Sequence, residues 1–156
     1  MCVRHAGSLA WSTDGLLGVA ETTLSLSLSS TPAHLKRIRL VLDRLAQRVP
    51  MGAEEVQQLQ TAVGEACANA ITHGSPQGAR NHVTVSFHLD PESLVVEVAD
   101  EGPGFRPGDV PVPRVEEMPE HGFGIHMMRQ LTDRLEFFRD PGGTLVRLTK
   151  FLAPAV

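Results

Sequence analysis

Residues Thr22 to Ser30 alternate without a break: Leu24, Leu26 and Leu28 are separated by serines. That is the period of a strand with one buried face. Thr31-Pro32 then reads as a helix start, with threonine as cap and proline at the first helical position. Leu35, Ile38, Leu42, Leu45 and Val49 follow at helical spacing, and Pro50 and Gly52 stop the run. A second helix is predicted from about Ala53 to His73, with Val56, Leu59, Val63, Ala66, Cys67 and Ala70 as its apolar stripe. Gly74-Ser75-Pro76 ends it. Val83, Val85, Phe87 and Leu89 alternate with polar residues, Asp90-Pro91-Glu92-Ser93 makes a turn, and the valine-rich stretch Leu94 to Ala99 is the partner strand. No period survives in residues 100–122, which hold three glycines and five prolines before Gly122. A third helix is predicted from Gly124 to Arg134, and a closing hairpin from Leu135 to Leu152 around Asp140-Pro141-Gly142-Gly143. The order strand, helix, helix, hairpin, loop, helix, hairpin predicts an α+β two-layer sandwich. Helices would cover one face of a mostly antiparallel, mixed sheet.

At 156 residues the chain suits one domain with a self-sufficient core. Two cysteines, Cys2 and Cys67, make no disulfide framework and point to a reducing cytoplasm. A net charge of −4, 4% aromatic residues and no tyrosine argue against nucleic-acid binding. No apolar run approaches the ~20 residues of a bilayer span, so no membrane role is expected. Residues 1–20 are broken by His5, Asp14 and several glycines and do not read as a signal peptide. They are treated as an N-terminal extension to a domain at 21–156. The seven histidines lack the spacing of a zinc site, and no Gly-x-Ser-x-Gly elbow occurs.

Three segments carry candidate chemistry. Glu65 and Asn69 lie four apart on the second helix, hence within ~40° and about 6 Å of each other. A carboxylate and an amide oxygen so placed can serve as general base and Mg2+ ligand, or simply form a solvated helix face. Asp100, Gly102 and Gly104 follow a strand directly. They read either as a surface turn or as a carboxylate beside glycines that let a ligand ring approach the backbone. Gly122-Phe123-Gly124 opens the third helix, where free N–H groups can bind phosphate.

In that order the segments resemble the ATP-binding fold shared by gyrase, MutL and sensor histidine kinases. Glu65-x-x-x-Asn69 looks like its N box, and Asp100-x-Gly102-x-Gly104 like its first glycine box. Gly122-x-Gly124 looks like the second, and Gly142-Gly143-Thr144 like the last motif on the closing hairpin. The resemblance spans residues 22–152. The small size is similar to that of RsbW/SpoIIAB-type anti-sigma factors, serine kinases of partner-switching circuits. The resemblance implies that Glu65 acts as the base on the attacking serine hydroxyl and that Asn69 holds Mg2+ on the phosphates of ATP. It implies that Asp100 accepts from the adenine amino group, with Gly102, Gly104 and Thr144 nearby. Gly122, Phe123 and Gly124 would present N–H groups to the phosphates, and residues 105–121 would form the ATP lid. The implied partners are a sigma factor, a STAS-type antagonist and a second copy in a homodimer.

One departure stands out. Sporulation-type members carry an arginine just before the second glycine box, where this chain reads Glu120-His121. No Lys or Arg occurs between Arg114 and Arg129. A cation beside the γ-phosphate would come from Arg106, Arg114, protonated His121 or a partner. The alternative is a non-catalytic, ATP-gated module that sequesters its partners. Charge is also segregated. Lys36, Arg37, Arg39, Arg44 and Arg48 against Asp43 give the first helix +4, while residues 90–120 sum to −7. The basic helix is either a solvated face or a docking surface for an acidic partner, with Leu40 as an anchor.

Overall fold

The structure is a computed structural model that describes residues 3–5, 21–104, 123–140 and 142–153. Six strands form one sheet in the order β1-β2-β3-β4-β6-β5. They are β1 (Val3–His5), β2 (Thr22–Ser29), β3 (His82–Leu89), β4 (Ser93–Ala99), β5 (Arg134–Asp140) and β6 (Gly143–Phe151). Among the described residues all five pairings are antiparallel. The helices are α1 (Leu35–Ala46), α2 (Ala53–Thr72) and α3 (Phe123–Leu131).

The alternating residues explain the layering. Leu26 and Leu28 of β2 pair with Val85 and Val83 of β3, and Phe87 pairs with Val96 of β4. All six side chains are buried against the helices. Ser25 and Ser86, on the other face, share a 3.0 Å hydroxyl hydrogen bond. α2 contributes Leu59, Ala62, Val63, Ala66, Cys67 and Ala70 to the core, and Met128 of α3 is fully buried. Cys67 is a core group, and burial pushes its thiol up to about 12.

Some boundaries move. Pro32–His34 is a 3-10 turn before α1, and Thr31 sits at its cap position without a side-chain cap bond. α1 stops at Ala46 rather than Val49, because Gln47 to Pro50 turn. α3 stops at Leu131. The Thr132 hydroxyl bonds back to the Met128 carbonyl, and Asp133 accepts the Phe151 N–H at 2.7 Å, so the chain is already turning into β5. The N-terminal extension contributes β1, which pairs with Leu24 to Leu26.

Candidate active site

Asp100 stands one residue past β4. Its N–H bonds the Thr144 carbonyl at 2.9 Å. Its Oδ1 accepts the N–H groups of Gly102 (2.9 Å) and Thr144 (3.1 Å). Among the described residues both hydrogen bonds to this carboxylate fall on Oδ1, which leaves Oδ2 for a ligand. Burial pushes the carboxyl above the usual aspartate range, against the pull of those two N–H groups.

The packing round Asp100 explains three glycines. A Cβ at Gly74 would collide with Asp100 Cγ and Oδ2, and one at Gly102 would lie 2.6 Å from Gly74 Cα. Gly143 has φ +151°, and a Cβ there would strike the Asp100 carbonyl. The predicted Asp100, Gly102 and Thr144 therefore come together. Gly74 and Gly143, noted in the sequence only as a helix end and a hairpin motif, form the walls.

Side chains outside the motifs hold this arrangement. Ser75, next to Gly74, gives its hydroxyl proton to the Ala70 carbonyl at 2.9 Å. It accepts from Ser30 at 2.5 Å, both serines being buried. Glu101 Oε2 accepts from Asn81 Nδ2 (2.9 Å) and from the His82 N–H (2.8 Å), tying the glycine box to the start of β3. These bonds hold the Glu101 carboxyl below its usual range. Nothing in the sequence marked Glu101 apart from the other acids. Gly104 has φ +85°. Arg139 donates from Nη2 to the Pro103 carbonyl at 3.1 Å and packs over Gly104.

The second cluster is built on helices. Glu65 and Asn69 are half-buried on α2, and Gly124 lies at the start of α3. A Cβ on Gly124 would be 2.8 Å from Glu65 Oε2 and 3.8 Å from Asn69 Nδ2. The structure thus brings the N box and the second glycine box together, with the first N–H groups of α3 beside a carboxylate and an amide. Phe123 begins α3 and is exposed. Gly122, Arg106, Arg114, His121 and the expected lid at 105–121 lie outside the described residues. The end of α2 links the clusters, because the Gly74 N–H reaches the carbonyls of Asn69 (3.3 Å) and Ala70 (3.0 Å). Among the described residues no three His, Cys, Asp or Glu side chains could hold a metal ion on their own. A cation here would need phosphate oxygens as further ligands. No described helix is long and apolar enough to cross a membrane.

An α+β layer with a carboxylate walled by glycines, and a second carboxylate facing a helix N-terminus, is the arrangement that the resemblance to an ATP-binding fold leads one to expect. The sequence model of the histidine kinase-like ATPase domain matches residues 28–150. The serine-protein kinase RsbW of Bacillus subtilis (strain 168) is 30% identical over 137 residues, 83% of this chain and 85% of that protein. RsbW of Bacillus pumilus (strain SAFR-032) is 32% identical over 139 residues, with the same coverage. The RsbU and RsbW domains of a Mycobacterium tuberculosis protein superpose with a TM-score of 0.62 at 19% identity. That match covers 85% of this chain and spans a third of the solved chain, 33%. The mycobacterial sensor histidine kinase MprB gives 0.52 at 21% identity, covering 83% of this chain and 99% of that one. At those identities the two structures speak for the fold alone. The chain belongs to the histidine kinase-like ATPase family, in its RsbW-type branch of anti-sigma factor kinases.

Proposed function

We propose that the chain is an ATP-binding anti-sigma factor that transfers phosphate from Mg-ATP to a serine of a STAS-type antagonist. One observation carries this reading: Glu65 faces Gly124 at the start of α3, with Asn69 one turn along α2. Phosphoryl transfer asks a protein mainly for positioning and for neutralisation of developing charge. Asp100 Oδ2 accepts from the exocyclic amino group of the base, next to Gly102, Gly104 and Thr144. The N–H groups at Gly122 to Gly124 hold phosphate oxygens. The Asn69 amide oxygen supplies a ligand to Mg2+, which when bound offsets phosphate charge. Glu65 takes the proton of the serine hydroxyl or orients it.

The product explains the switch. A phosphoserine adds about −1.5 to −2 charge. Residues 90–120, at −7, repel it and release the antagonist, and the freed protein captures its sigma factor. The reading places the protein in the cytoplasm, acting as a homodimer. The test is incubation with Mg-ATP and a STAS-type antagonist, with phosphoserine as the expected product. Bound nucleotide without transfer would overturn the kinase reading. It would favour the ATP-gated sequestering module, which the lack of a Lys or Arg between Arg114 and Arg129 recommends. Glu65→Ala separates the two, because release that survives this change does not depend on transfer.

A further inference from the structure

Arg139 has no place in the motifs of the family, yet the fold puts it at the nucleotide site. In the β5–β6 register it stands directly opposite Thr144, whose N–H binds Asp100 Oδ1. Residues opposite each other in a ladder share a face of the sheet. Leu135 and Phe137, of the same parity along β5, pack against the core. Phe138 points the other way and carries the Arg147 guanidinium on its ring, 4.7 Å from the centroid. Arg139 therefore lies on the helix-covered side, at the end of the sheet where Asp100 sits. It is exposed, and among the described residues it makes no ion pair with a carboxylate. Its Nη2 instead donates to the Pro103 carbonyl at 3.1 Å. A Cβ on Gly104 would meet its Cγ and Cδ at 2.8 Å, so the side-chain stem covers the last glycine of the box. That glycine is held at φ +85°, a conformation costly for any other residue.

We propose that Arg139 is a positioning residue of the nucleotide site, fixing the Pro103–Gly104 backbone beside the base. The inference rests on the nucleotide reading above. Arg139 acts through the loop and makes no contact with the reacting phosphate. Removing it leaves the loop to be ordered at the moment of binding, which weakens ground-state affinity and leaves the chemical step alone.

The experiment measures ADP affinity by calorimetry, and KM and kcat for ATP, in wild type, Arg139→Ala and Arg139→Lys. The alanine variant is expected to weaken ADP binding and raise KM by roughly 3–10-fold, the scale of one lost hydrogen bond. Its kcat at saturating ATP stays at the wild-type value. Lysine, long enough to donate once to Pro103, recovers most of the affinity. The alanine defect is the same at about 0.05 and 0.5 M salt, whereas direct attraction of a phosphate would be screened away. Unchanged ADP binding in Arg139→Ala, a defect that vanishes at high salt, a kcat that falls with the affinity, or no recovery by lysine overturns the proposal. Failure of the wild-type protein to bind ADP overturns the nucleotide reading itself.

Discussion

The two ends of the site are built on opposite plans. Around Asp100 the backbone is packed until only glycine fits: Gly74, Gly102 and Gly143 each exclude a Cβ by contact with Asp100 or with one another. The carboxylate is already oriented by two N–H groups, and its neighbours are tied down by Ser30, Ser75, Asn81 and Glu101. Around Glu65 there is little of this. Among the described residues neither Glu65 nor Asn69 makes a side-chain hydrogen bond, and both face Gly124 at the start of α3. The end assigned to the base is thus already formed in the free protein. The groups assigned to phosphate and serine stand on helices and wait for their ligands. An enzyme that must choose its nucleotide always, but act only when a partner arrives, gains from that division.

The sharpest way to break this contrast is Glu65→Gln. The amide keeps shape and volume but cannot take a proton. Transfer to the antagonist is expected to fall by about 10^2–10^4-fold, the range of a lost general base. ADP affinity by calorimetry stays within about threefold, the scale of a modest change in one contact. A collapse of ADP binding in this variant would mean that the phosphate end is as preformed as the base end.

Asp100→Asn probes the packed end. Its Oδ1 can still accept from Gly102 and Thr144, so the fold survives. The NH2 group then takes the place of Oδ2 and faces the amino group of the base, donor against donor. Affinity for ADP should drop by about 10–100-fold, the worth of a hydrogen bond to a charged group. The free protein should melt no lower than wild type. A carboxyl whose pKa is raised on folding favours the fold only while protonated, and that contribution is lost as pH rises through the folded pKa. At neutral pH the ionised Asp100 is therefore a cost that asparagine removes. A clear drop in melting midpoint would contradict this account of its burial.

The same shift sets a pH dependence. Because the carboxyl lies above the usual aspartate range, acidification protonates it sooner than an exposed aspartate. ADP binding should weaken as pH falls into the upper carboxylate range, and the acid limb should be missing in Asp100→Asn. An identical acid limb in both proteins would assign the loss to another group.

How much of this was readable in the chain follows the same division. The helices and strands were legible because burial repeats at 3.6 and 2.0 residues, as in Leu59, Val63, Ala66 and Ala70 or in Val83, Val85 and Phe87. Helix ends were less so: α1 gives way to a turn at Gln47 to Pro50, and α3 stops where hydroxyl and carboxylate bonds at Thr132 and Asp133 intervene, and neither signal carries a period. The candidate residues Glu65, Asn69 and Asp100 were legible as an ordered set. Their supports were not. Glu101, Asn81, Ser30 and Ser75 meet across loops separated by up to 45 residues, and Arg139 reaches Pro103 from another strand. Only the fold makes such pairs neighbours.

The smallest effect comes from a glycine that nothing requires. Gly64 precedes Glu65 inside α2, and a Cβ there would meet nothing within 4 Å. Glycine inside a helix costs about 1 kcal/mol relative to alanine. Gly64→Ala should therefore raise the melting midpoint by about 2–4 °C for a domain of this size, with ADP affinity unchanged. Gly74→Ala, ten residues on, should lower both the melting midpoint and ADP affinity, because its Cβ has no room beside Asp100. If Gly64→Ala stabilises the free protein and yet slows transfer to the antagonist, the space above Gly64 is used only in the complex. The open end of the site would then be completed by the partner's backbone, which marks where the comparison between the two ends needs redrawing.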